Sequence, residues 1–100
     1  STFILDSAAH GADLCDRKTD GWLYSRWANP TVSAAADKIC SLEEGAATIV
    51  TSSGMAAITT SLFTLLKAGD HVVAPKCVYG GTYEVLAELL AKLAVEVTFV

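Results

Sequence analysis

The chain holds no run of lysine and arginine longer than the pair Arg17-Lys18, and its formal charge is −4. A polyanion such as DNA or RNA finds no basic footprint here, so nucleic acid is not an expected partner. Cysteine is scarce too: Cys15, Cys40 and Cys77 are widely spaced, odd in number and without a C-x-x-C pair. That pattern supports neither a disulfide framework nor a zinc site, and a reduced, cytoplasmic setting is the expectation. The most apolar stretch, Met55–Ala68, is too short to cross a bilayer and is interrupted by Thr59, Thr60, Ser61, Thr64 and Lys67. A membrane is therefore not expected as a partner. A basic segment followed by an apolar one, as in a secretory signal, is missing from the N-terminal end. Internal repeats and low-complexity tracts are missing as well. The sequence opens on Ser-Thr-Phe-Ile-Leu without a methionine, as a fragment or processed piece would.

What remains is apolar. Of 100 residues, 52% are hydrophobic and 18% charged, enough to bury a core and too apolar for a disordered chain. A domain of this size buries only about two-thirds of its unfolded surface. Apolar surface is therefore left over, to be covered by more chain or by a partner subunit.

Residues 1–23 show no sustained period and are read as a loop-rich arm; residues 24–100 are read as part of one α/β domain. Asn29-Pro30 predicts a helix start, with Val32, Ala35, Ile39 and Leu42 at helical spacing and Gly45 as the stop. Ala46–Thr51 reads as a short strand, Ser52-Ser53-Gly54 as a turn, and Met55–Lys67 as a helix ended near Gly69. Val72–Ala74 reads as a second strand, Tyr79–Thr82 as a turn, Tyr83–Leu93 as a helix and Val95–Val100 as a third strand. Strand and helix alternating in this rhythm predict an α/β layer with a parallel sheet and right-handed crossovers.

Three places in that layer suit chemistry. At Thr51-Ser52-Ser53-Gly54-Met55-Ala56 a strand feeds a glycine turn that opens into a helix. The first amides of that helix lack internal partners and lie at the positive end of its dipole, where an anion fits. The same residues also make an ordinary capped turn. Tyr24-Ser25-Arg26 offers a planar guanidinium and a hydroxyl suited to phosphate, or else simply a surface arginine beside a half-buried tyrosine. Val78-Tyr79-Gly80-Gly81-Thr82 places an aromatic between glycine and the end of a strand, ready to stack on a flat ring or to pack as a turn residue. His10 and His71 are far apart with no carboxylate at ligand spacing, so no metal is expected.

Taken in order, Tyr24-Ser25-Arg26-x-x-Asn29-Pro30-Thr31, Ser53-Gly54-Met55-Ala56-Ala57, Lys67-Ala68-Gly69-Asp70 and Val78-Tyr79-Gly80-Gly81-Thr82 form a series. From about Trp22 to Val100 it resembles the Cys/Met-metabolism family of pyridoxal-5′-phosphate (PLP) enzymes: cystathionine γ-lyase, cystathionine γ-synthase, methionine γ-lyase and the O-acylhomoserine sulfhydrylases. The resemblance implies the N-terminal part of the large domain of a fold-type I PLP-dependent transferase, with a mostly parallel sheet and flanking helices. It implies that Gly54 and Met55 donate backbone hydrogen bonds to the PLP phosphate. It further implies that Tyr79 stacks on the pyridine ring and assists proton and leaving-group chemistry. Tyr24 and Arg26 match residues that reach the phosphate of a neighbouring subunit's PLP, which implies a homo-oligomer built as a dimer of dimers.

The family's Schiff-base lysine and the aspartate facing the pyridine nitrogen belong to sequence beyond Val100. Lys38, Lys67, Lys76 and Lys92 are not candidates for the former, and the 100 residues alone are expected to be inactive. The expected function of the whole protein is a C–S lyase acting on cystathionine or a related thioether amino acid. γ-Replacement, as in a synthase or sulfhydrylase, is the alternative within the family. Gly81 stands where methionine γ-lyases typically have cysteine, which argues against methionine as substrate. An alternative of another class is a non-catalytic binding module derived from such an enzyme.

Overall fold

The computed structural model describes residues 1–100, and the chain divides into two compact units, Ser1–Val50 and Thr51–Val100.

In the first unit, an antiparallel bridge between Thr2 and Tyr24 ties the start of the chain to the segment ahead of Asn29. Phe3 N–H donates to Leu23 O (3.3 Å) and Ser25 N–H to Ser1 O (2.9 Å). Between these strands of chain lies helix α1 (Ala8–Cys15), capped by Ser7, whose Oγ accepts from His10 N–H at 3.1 Å. The arm is thus not loop throughout. Its helix is only eight residues long and has a single buried residue, Gly11, so it leaves no sustained apolar period in the sequence.

Helix α2 (Pro30–Leu42) begins where Asn29-Pro30 predicts. Asn29 Oδ1 accepts from Thr31 N–H (2.9 Å) and Val32 N–H (3.3 Å), and Pro30 occupies a first-turn position where its missing N–H costs nothing. The stop differs from the expected one. Glu44, not Gly45, takes the left-handed conformation (φ 52°), and Gly45 N–H closes the end on Cys40 O at 2.9 Å.

Ala46–Thr51 does not form a strand. Its apolar side chains are exposed, Ile49 at 84%, and no backbone lies beside it to complete a ladder. Sequence supplies the β-branched residues, but only a second chain segment makes them a strand.

The second unit carries the sheet. Helix α3 (Gly54–Leu65) ends two residues earlier than expected because Leu66 turns extended, and the connection closes with Asp70 Oδ2 accepting from Lys67 N–H at 2.9 Å. Gly69 in that connection has φ 90°, where an L side chain is strained. Strand β1 (His71–Ala74) pairs in parallel with β2 (Glu96–Phe99), His71 opposite Glu96 and Ala74 opposite Phe99. Between them, α4 (Gly80–Glu84) runs through a π-helical turn, Val85–Leu89, into α5 (Leu90–Lys92). The helix therefore starts at Gly80, three residues before the expected Tyr83, and the Gly-Gly pair lies inside its first turn rather than in a loop.

Ala74, Leu86, Leu90 and Val95 form the core, backed by Leu62, Leu66, Val72, Val97 and Phe99. Tyr83 stacks on Phe99 with ring centres 4.8 Å apart. The core thus bolts α3 and the α4–α5 helix onto the sheet from one side. It holds α3 by its C-terminal end, through Leu62 and Leu66, and leaves that helix's first turn outside the core. His71 Nε2 and Thr98 Oγ1 lie 2.8 Å apart across the two strands, which gives that histidine a structural place.

Candidate functional site

The turn into α3 is held by its own side chains. Thr51 Oγ1 donates to Ser53 O at 2.9 Å, and Ser53 Oγ accepts from Ala56 N–H at 3.0 Å. Ser53 O takes the Ala57 N–H at 3.0 Å. With the third and fourth amides of the helix satisfied, those of Gly54 and Met55 make no hydrogen bond within the chain. Gly54 borders open space: a Cβ built on it meets no atom within 4 Å. No acidic residue occupies the first turn. Two free N–H donors at the positive end of a three-turn helix, with no carboxylate in its first turn, are an arrangement that favours an anion.

Tyr79 flanks that site. It precedes α4, has its backbone at φ −55° and ψ 139°, and is 73% exposed. Its ring lies back over Gly81: a Cβ built there would come within 2.9 Å of Tyr79 Cε1 and 3.4 Å of Met55 Sδ. The phenol ring and the side chain of Met55 therefore border one corner at Gly81, where Thr82 Oγ1 also reaches Met55 Sδ at 3.9 Å. Of the residues singled out from sequence, the structure brings Gly54, Met55 and Tyr79 together. It adds Thr51, Gly81 and Thr82, which sequence reasoning had not assigned to the site. The hydroxyls ahead of Gly54 are the signal for Thr51; Gly81 and Thr82 stand in the Tyr79 motif, but their part in the corner depends on where α3 and α4 cross.

Tyr24 and Arg26 pair within the first unit, with the Arg26 guanidinium carbon 5.4 Å from the centre of the Tyr24 ring, a cation–π distance. Arg26 is exposed and lines an open depression with Trp27, Asn29 and Val32. Its fork of donors has no carboxylate partner. No group of three or more His, Cys, Asp and Glu side chains is placed to hold a metal ion, and no helix is long and apolar enough to cross a membrane.

Fold and site together define an α/β protein with a corner suited to a flat ligand bearing an anionic group. The comparison with known proteins makes the assignment narrower. The chain belongs to the family of Cys/Met metabolism PLP-dependent enzymes, whose model matches residues 1–100. The match includes residues 1–21, which the motif series alone leaves out. An L-methionine gamma-lyase of Fusobacterium nucleatum subsp. polymorphum is 48% identical over 100 residues, covering 100% of this chain and 25% of the relative. A homocysteine synthase of Schizosaccharomyces pombe is 39% identical, covering 100% of this chain and 23% of its own. The crystal structure of an O-acetylhomoserine (thiol)-lyase from Campylobacter jejuni, which contains a pyridoxyl-lysine phosphate, superposes with a TM-score of 0.79 at 28% identity. That likeness covers 98% of this chain and 23% of the other, and it bears out the expected fold, the N-terminal part of a fold-type I large domain. The chain spans about a quarter of the length of the curated relatives it matches.

Proposed function

We propose that this chain is the N-terminal part of the cofactor domain of a PLP-dependent enzyme that breaks a C–S bond in a sulfur amino acid. The observation that carries the proposal is the pair of free amides at Gly54 and Met55 beside the exposed ring of Tyr79. PLP is a flat aromatic ring joined to a phosphate, and this corner offers an aromatic face for the one and a donor pair for the other. The residues present fit the group.

Bound there, PLP supplies an electron-accepting ring that stabilises negative charge at the Cα of an amino-acid substrate. The chain's own residues do the holding. The amides of Gly54 and Met55 would hold the phosphate and so anchor the cofactor. Tyr79 covers one face and keeps water from it. Its phenol, being exposed, is free to hold or pass a proton at the substrate or its leaving group. Arg26 and Tyr24 extend the same chemistry to a neighbouring subunit's phosphate, in an oligomer assembled as a dimer of dimers. Residues 1–23 then serve as an arm and 24–100 as the partial domain. A cytoplasmic location completes the reading, consistent with three free cysteines.

γ-Elimination from a thioether amino acid is the reaction favoured here. The relatives named L-methionine gamma-lyase, at 48% and 49% identity, support considering methionine beside cystathionine despite Gly81, since one position weighs less than the whole chain. γ-Replacement is the second reading, favoured by the homocysteine synthase and the O-acetylhomoserine (thiol)-lyase. The test is to offer the purified full-length protein L-methionine, L-cystathionine, and O-acetylhomoserine with sulfide. Release of ammonia and a 2-oxo acid from a thioether supports elimination. Homocysteine formed from the last pair, without 2-oxo acid from the others, replaces it with γ-replacement. A protein that purifies without PLP and binds none when supplied ends both readings.

A further inference from the structure

Gly80 and Gly81 open α4 side by side in different surroundings. A Cβ on Gly80 meets no atom within 4 Å, whereas one on Gly81 meets Tyr79 Cε1 at 2.9 Å and both Tyr79 Cδ1 and Met55 Sδ at 3.4 Å. Neither residue has a left-handed backbone, so conformation does not call for glycine at 81. Helix propensity opposes it, because glycine is among the poorest helix formers. What position 81 requires is room. The Tyr79 ring, 73% exposed, is held by little else on its outer side. It lies over the bare backbone at 81, in the corner it shares with Met55, whose sulfur Thr82 Oγ1 reaches at 3.9 Å.

We propose that Gly81 is a positioning residue for Tyr79: its missing side chain sets how low the phenol ring lies on the Met55 corner, and so where the aromatic face is offered to a bound cofactor. Because the obstructed atom belongs to the rim of an exposed ring and not to backbone, a methyl at 81 displaces the ring at little cost to the fold. The consequence is for geometry rather than stability. The inference rests on the reading of Tyr79 as the residue that covers the cofactor, and adds the residue that places it.

The test uses the full-length protein, freed of cofactor, with 3-fluorotyrosine at position 79. Gly81→Ala is expected to move the fluorine resonance while leaving the melting temperature near wild type; Gly80→Ala is expected to leave the resonance in place. Met55→Ala, which removes the neighbouring side chain and its Thr82 contact but leaves position 81 unchanged, is expected to move it too and keeps the test open if Gly81→Ala folds poorly. PLP retention measured by dialysis should weaken about fivefold to tenfold in Gly81→Ala, the size of one aromatic contact. In a Tyr79→Ala background the same substitution should cost less than about twofold, because two residues acting through one contact are not additive. An unmoved fluorine resonance in Gly81→Ala and Met55→Ala, or an undiminished penalty without the ring, overturns the proposal. If Tyr79→Ala alone leaves PLP retention unchanged, it is the cofactor-covering reading that fails and the proposed consequence with it, while the fluorine shift still reports the ring's seat.

Discussion

Gly54 allows the folding and binding roles of a glycine to be separated. A Cβ at this position meets nothing within 4 Å, and the backbone is not left-handed, so the fold has no need of glycine there. Alanine at the start of a helix is then neutral for the cofactor-free protein, or stabilising by up to about 1 kcal/mol, the difference in helix propensity. A bound anion feels the change differently. It would sit against the two amides left free once Ser53 has taken those of Ala56 and Ala57. Each charge-assisted hydrogen bond of this kind contributes about 1.5–3 kcal/mol net, and the helix end adds about 0.3–1 kcal/mol.

A methyl group in the approach path holds the anion off at least one of those donors. Gly54→Ala is therefore expected to weaken binding of PLP and of inorganic phosphate by about tenfold to a hundredfold, and Gly54→Val by more. Calorimetric titration of the cofactor-free full-length protein measures the loss, and thermal unfolding of the same samples measures the fold. Unchanged affinity for both ligands would refute the anion site. Affinity falling in step with a lowered melting temperature would refute it as well, by showing that the glycine serves the fold.

Ala94→Gly should stabilise the protein by about 1 kcal/mol, seen as a raised denaturant midpoint, because Ala94 holds φ 56° in a conformation costly for any residue with a Cβ. No change would mean that the bonds from Val95 N–H to Leu90 O and from Gly69 N–H to Ala94 O already offset the strain. Leu90→Ala should cost about 2–5 kcal/mol in equilibrium unfolding, since Leu90 is the one fully buried large side chain of a small core. A loss below about 1 kcal/mol would show that the site collapses around the cavity. Arg26→Ala in the full-length protein should speed loss of PLP on dialysis, and Arg26→Lys should restore only part of it, since an ammonium lacks the guanidinium's fork. Equal retention in all three would remove Arg26 from the phosphate site.

Much of the local structure was legible because it is written in neighbouring residues. Asn29-Pro30 caps and starts α2, and Ser53 caps α3, through contacts three residues away or closer. Hydrophobic runs at Val72–Ala74 and Val95–Val100 locate the paired strands to within two residues. What was misread depends on distant partners or on backbone exceptions. Ala46–Thr51 has the composition of a strand but lacks a neighbour. Glu44 takes the left-handed position that Gly45 seemed made for, a choice worth about 1 kcal/mol that tertiary contacts readily override. Helix α1 escaped notice because it buries almost nothing, so no apolar stripe marks it.

The site divides along the same line. The free amides at Gly54 and Met55 follow from a capped helix start and could be read from four consecutive residues. The ring beside them is placed by the crossing of α3 and α4, which is set by the packing of Leu86 and Leu90 on the sheet some distance from the turn. A substitution in that core would lower stability and shift the corner together, whereas Gly54 and Gly81 touch only open space or the rim of a side chain. The proposed site lies where the fold has the least at stake, on the first turns of two helices whose far ends carry the packing. That separation is why the variants most damaging to binding are expected to be the ones that unfold least.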